Sequence, residues 1–125
     1  MFIRFTLLSN DSDTGKKVGI LVAGHTLRDE GDIAVEEHRE LRLRLKWFDD
    51  NLYVPLTYDN PQNRRALSWF KGTASKPIRY MWDLKRILDQ HGLHVDVLKT
   101  RNPGKVIYED GWQVVAIPAK GQKFK

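Results

Sequence analysis

The chain has 125 residues, 41% hydrophobic and 30% charged, with 21 Lys/Arg against 16 Asp/Glu, a net charge of +5 and no cysteine. That length fits one domain, residues 1–125, since domains run to about 100–200 residues. Lack of cysteine excludes disulfide scaffolds, thiolate zinc sites, iron–sulfur ligation and thiol catalysis, and fits a reducing, cytoplasmic setting. The longest apolar run, residues 19–24, is far short of the roughly 20 residues of a membrane helix. Arg4 and the polar run 9–17 interrupt the start of the chain, so neither a secretory signal nor a membrane partner is expected.

Residues 1–8 alternate aromatic and branched side chains at period two and read as a strand; residues 9–17 read as a loop. Residues 18–30 predict a helix with Ile20, Ala23, Gly24 and Leu27 on one stripe, and Gly31 as its left-handed stop. Asp32 then looks like the N-cap of a second helix over 33–51, supported by Glu36 and Glu37. Residues 41–47 also alternate like a strand, but Leu41, Leu45, Phe48 and Leu52 share a tight helical stripe, and the helix is preferred.

Asn60 and Pro61 form an N-cap with proline at the first helical position, predicting a short helix from 61 to about 71 after an extended segment at 53–58. Thr73 or Ser75 caps the next helix, whose Tyr80, Met81, Leu84, Ile87, Leu88 and His91 share one face; Gly92 ends it. The last third reads as a meander. It comprises residues 93–100, a type II turn at Asn102-Pro103-Gly104-Lys105, and strands 105–109 and 112–118 flanking Asp110-Gly111. A two-residue Asp-Gly hairpin loop would pair Glu109 with Trp112, Tyr108 with Gln113 and Ile107 with Val114. Residues 119–125 form a basic tail expected to fray. The order predicts an α+β fold: an antiparallel sheet of about four strands, the N-terminal strand plus the C-terminal three-stranded meander, with about four helices packed on one face.

Charge is uneven. Residues 1–60 carry 8 Lys/Arg and 11 Asp/Glu, and residues 61–125 carry 13 and 5. A basic half raises the expectation of polyanion contact, because each neutralised phosphate releases condensed counterions.

No phosphate-binding glycine loop, dinucleotide fingerprint or nucleophile elbow is present. Of the four histidines, His91 and His94 are separated by Gly92 and lack a third ligand nearby in sequence, so no metal site is expected. No cofactor and no catalytic residue is assigned. Asp49-Asp50 sits at a helix C-terminus, where acids are mildly unfavourable. Asp96, Lys99, Tyr108 and Glu109 could be drawn as a small metal-dependent nuclease, but Asp96 and Lys99 point to opposite strand faces.

Aromatic rings beside cations are the most distinctive feature. Trp82 has Arg79, Lys85 and Arg86 at helical spacings, and Trp47 follows Lys46. Rings flanked by cations suit bases, single strands or anionic groups of a partner, although tryptophans also fill cores. One expected contact strip is Arg79, Trp82, Lys85 and Arg86, with Trp47 as a further ring; another is Lys99, Arg101 and Lys105 at a hairpin tip. Leu43, Trp47, Ile78 and Trp82 lie off the apolar stripes, as surface for a protein partner would.

The strings Trp47-Phe48-x-x-Asn51-Leu52-x-x-Pro55, Ser68-Trp69-Phe70-Lys71 and Tyr108-Glu109-Asp110-x-x-Gln113-Val114-Val115 resemble a group of small bacterial proteins of uncharacterised function. The resemblance covers most of the chain and implies a stand-alone bacterial domain; it implies no activity, cofactor or partner. The expectation is a non-enzymatic binding module with DNA or RNA as first-choice ligand. The alternatives are a protein-interaction module, such as an inhibitor or accessory subunit of a nucleic-acid machine, and the small nuclease.

Overall fold

The computed structural model describes residues 1–10, 17–55 and 60–124. The fold is α+β. Its elements are β1 (Phe2–Asn10), β2 (Lys17–Gly19), α1 (Ile20–Glu30), α2 (Val35–Asn51), a single 3-10 turn (Pro61–Asn63), β3 (Leu67–Lys71), α3 (Ser75–Gln90), β4 (Val95–Thr100), β5 (Lys105–Glu109) and β6 (Gln113–Ile117). The chain packs as two compact units interleaved in sequence: Met1–Arg4, Tyr53–Ile78 and Leu98–Lys125 form one, Phe5–Leu52 and Arg79–Val97 the other.

In the first unit, β1, β3, β6 and β5 are neighbours in that order, each pair antiparallel. Trp69 lies opposite Val114, and Ser68 opposite Val115. Strand β6 has both hydrogen-bonding edges occupied, and its Val114, Val115 and Ala116 are buried. This is the pattern of an interior strand. Trp69, Phe70, Ala66 and Ala74 complete the apolar interior of this unit.

Three expectations are corrected here. Residues 61–71 are not a helix: the Asn60 side chain accepts from Gln62 N–H at 2.9 Å and caps only the 3-10 turn, after which the chain extends into β3. Trp69 and Phe70 are both buried although they point to opposite faces of β3, as in a strand inside a sheet. The meander is also incomplete, since β4 pairs with β1 rather than β5. Finally, the hairpin register is shifted: Glu109 faces Val114 and Tyr108 faces Val115, with an irregularity between Val106 and Tyr108. A two-residue type I′ loop requires positive φ, and neither Asp110 nor Gly111 has it. The Asp110 carboxylate instead takes the N–H groups of Trp112 and Gln113, at 2.8 and 3.0 Å, and lengthens the loop.

The second unit holds α1, α2 and most of α3, with β2 paired antiparallel to β1 (Thr6 opposite Gly19). The predicted stripes are buried at Ile20, Ala23, Gly24 and Leu27 on α1, Leu41, Leu45 and Phe48 on α2, and Met81, Leu84, Ile87 and Leu88 on α3, while Leu52, Tyr80 and His91 are half-buried. A Cβ on Gly24 would lie 3.0 Å from Leu45 Cδ2, so glycine sets the close approach of α1 to α2.

Helix ends differ from expectation. Helix α1 starts at Ile20 after a short strand, and Gly31 ends it in extended rather than left-handed conformation, with its N–H on Leu27 O. The N-cap of α2 is Ala34, whose N–H is taken by the Glu37 carboxylate at 3.3 Å. Asp32 therefore does not cap it. Helix α3 ends as predicted, at Gly92 with φ 79°. No helix among the described residues is long and apolar enough to cross a membrane.

Candidate nucleic-acid interface

The two units divide the charge. By sequence, the first carries 11 Lys/Arg and 3 Asp/Glu, and the second 10 and 13, so the whole positive excess falls on the first.

The cations predicted on α3 belong to the acidic unit and are engaged. Lys85 Nζ contacts the Asp89 carboxylate at 2.6 Å and the Val95 carbonyl at 3.0 Å. Burial opposes the charge of Asp89, yet its hydrogen bonds from Lys85 and from Val95 N–H hold its pKa below the ordinary value. Arg86 pairs with Glu40 at 2.5 Å. Arg79 lies 5.7 Å from the Tyr80 ring centre, whose face is also covered by Arg44 at 4.3 Å, itself paired with Asp83 at 3.0 Å. Trp82 is 45% exposed and meets Phe5 edge-to-face at 5.3 Å. Trp47 is half-buried between Phe48 and Tyr80, at 5.1 and 5.0 Å.

Within the basic unit, antiparallel pairing brings the start of β3, the start of β5 and the end of β6 to one end of the sheet: Leu67 faces Ala116, and Lys105 faces Ile117. Arg64 and Arg65 enter β3 there, Lys105 opens β5, and Lys120 and Lys123 follow β6. The β4–β5 loop joins the same place. Its Gly104 has φ 108°, and a Cβ there would collide with the Ile117 carbonyl oxygen. Asn102 Oδ1 accepts from Gly104 N–H at 3.0 Å, bending the loop inward.

The C-terminal tail is not frayed over the described residues. Gln122 donates its side-chain N–H to Asn102 O at 2.8 Å and accepts from Ala119 N–H at 2.8 Å, and Phe124 packs edge-on against Trp69 at 4.7 Å. Arg65 reaches the Pro118 carbonyl at 3.4 Å. Arg64, Arg65, Arg101, Lys105, Lys120 and Lys123 are all exposed, and among the described residues none has a carboxylate partner. Lys99, also exposed, precedes this loop on β4. The sequence singled out Lys99, Arg101 and Lys105 but not the arginines before β3 or the lysines of the tail.

The acids lie at the other end of the strands. Glu109 pairs with Lys71 at 2.5 Å. Asp110 is a hub: Oδ2 accepts from the Tyr108 hydroxyl at 2.8 Å and from Gln113 Nε2 at 3.0 Å, while Oδ1 serves the two backbone N–H groups of the turn. Burial works against the charge of Asp110, but these donors keep its pKa below the ordinary carboxylate value. Burial, and then the hydrogen bond to Asp110, push the Tyr108 hydroxyl up to about 12. Five residues of strand separate the two ends by about 15 Å. That exceeds the ~8 Å Debye length at physiological salt, so Glu109 and Asp110 do not neutralise the cationic end.

Glu109 is thus committed to Lys71 and Tyr108 to Asp110, and no group of three His, Cys, Asp or Glu among the described residues could hold a metal ion. His91 meets Glu37 at 3.1 Å, and His25 lies 4.0 Å from Asp49.

The chain matches no protein-family model, and no curated protein or solved structure is significantly similar to it.

Proposed function

We propose that the protein is a small non-enzymatic binding module that contacts nucleic acid through the cationic sheet end of its basic unit. The supporting observation is that six exposed cations from three separate chain segments, Arg64/Arg65, Arg101/Lys105 and Lys120/Lys123, converge there without a carboxylate partner among the described residues. The net +8 of this unit favours anionic partners. The helix cations Lys85 and Arg86 are neutralised locally and contribute less. Fluorescence anisotropy with labelled DNA and RNA oligonucleotides at about 50 mM salt tests this reading. Binding that weakens steeply with added salt is expected; no binding to any oligonucleotide at low salt overturns it.

A second reading, a protein-interaction module, rests on Leu43 and Trp82, which are 52% and 45% exposed on α2 and α3. Self-association lost in a Leu43→Ser, Trp82→Ser variant would favour it.

A further inference from the structure

We infer that the cationic sheet end takes the two phosphate rows of a double-stranded nucleic acid rather than the stacked bases of a single strand; this rests on the nucleic-acid reading above. Single-strand sites combine cations with accessible rings on which bases stack. At this end the rings are occupied. Trp69 is 1% exposed and covered by the half-buried Phe124. The exposed ring among this unit's described residues, Tyr53, leans on Tyr108 at 5.5 Å, at the acidic end.

What remains is a fixed array of positive charge. Strands β3, β6 and β5 are adjacent, so the cations that open β3 and β5 start about 10 Å apart at the backbone. The grooves of a B-form duplex are about 6 and 12 Å wide, so such an array can meet phosphates on both sides of one groove. A single strand offers one flexible row and must be ordered to match it. The array is also held in place: Gly104 against Ile117, Gln122 on Asn102 and Phe124 on Trp69 tie the loop and tail to the sheet. The Asn102 and Gln122 amides at this end are hydrogen-bonded within the protein, so binding depends on backbone shape and charge more than on sequence.

The test uses the full chain with 20-base-pair DNA and RNA duplexes, and with each component strand, in anisotropy titrations from 50 to 300 mM NaCl. At least one duplex type should bind about tenfold or more tightly than its own strands. The log–log salt slope should be about −3.5 to −5.5, the value for four to six neutralised phosphates. The double variant Arg101→Ala, Lys105→Ala should flatten that slope by about two, while its circular dichroism and melting midpoint show that it still folds. Single strands that bind as tightly as duplexes, with quenched tryptophan emission, would overturn the duplex inference and leave the nucleic-acid reading standing. A slope unchanged in a folded double variant would remove this surface as the site. Binding to no nucleic acid would overturn both.

Discussion

The Gln122 side chain donates to the Asn102 carbonyl at 2.8 Å across a sequence separation of 20 residues, and this bond brings Lys120 and Lys123 beside Arg101 and Lys105. Gln122→Ala removes no charge. A partly exposed neutral hydrogen bond contributes about 1 kcal/mol or less, so the melting midpoint should fall by no more than about 5 °C. Duplex affinity at fixed salt should fall about three- to fivefold because the tail cations must be ordered on binding, while the salt slope stays constant. Lys120→Ala with Lys123→Ala should instead flatten the slope by about two. Anisotropy titrations of both variants separate placement from charge.

Gly104 is the residue on which the loop's position depends. Its φ is 108°, and a methyl group would collide with Ile117 O and Pro118 Cα. Gly104→Ala therefore combines an unfavourable backbone conformation with backbone overlap that no side-chain rotation relieves. A loss of about 2–3 kcal/mol is expected by urea denaturation. Gly111→Ala, where φ is not positive and nothing lies within 4 Å of the new Cβ, should cost far less.

Asp110 couples hairpin stability to pH. Its folded-state pKa is depressed, because four hydrogen bonds outweigh the burial that opposes its charge. The stabilisation is fully present above the unfolded-state value of about 3.9 and is lost as pH falls through the lower folded value. Thermal midpoints measured from pH 6 to pH 2 should decline below about pH 4. Asp89, depressed in the same direction, adds to the decline. Asp110→Ala leaves the N–H groups of Trp112 and Gln113, the Gln113 amide and the Tyr108 hydroxyl short of an acceptor, and should cost about 2–3 kcal/mol at pH 7. It should also remove part of the acid sensitivity.

The helices were largely legible because a long amphipathic stripe and a glycine stop agree: Met81, Leu84, Ile87 and Leu88 with Gly92 leave little choice. Strand β3 was not, because a five-residue segment with only three apolar residues carries no decisive period, and the cap-and-proline signal at Asn60-Pro61 governs only one turn. The register of β5 on β6 depended on whether the Asp110 side chain would compete with the main chain for the turn's N–H groups, which the Asp-Gly dipeptide does not reveal. The candidate site was half legible. Charge counted along the chain places α3 with the basic residues, whereas the fold sets Asp89 against Lys85 and brings Glu40 of α2 to Arg86. It then assembles Arg65, Arg101 and Lys120 from positions far apart in sequence. One local signal was available: Gln122 between Lys120 and Lys123 can tie down a tail that composition alone suggests is loose.

That redistribution separates the two strips first suggested by sequence. Lys85→Gln and Arg86→Gln strand Asp89 and Glu40 without their cations. Lys85 is the less exposed of the two and also serves the Val95 carbonyl, so Lys85→Gln should cost about 1–2 kcal/mol. The more exposed Arg86 pair should cost about 0.5 kcal/mol or less. Neither cation is free to release counterions from a phosphate, so duplex affinity should fall less than threefold for either variant and the salt slope should not change. The opposite profile is expected for Arg101→Gln and Lys105→Gln: stability within about 0.5 kcal/mol of wild type, a flatter slope and markedly weaker binding. Measuring melting midpoints and salt-dependent anisotropy on all four single variants yields two independent readouts. If the helix variants lose binding while keeping their stability, α3 rather than the sheet end carries the interface.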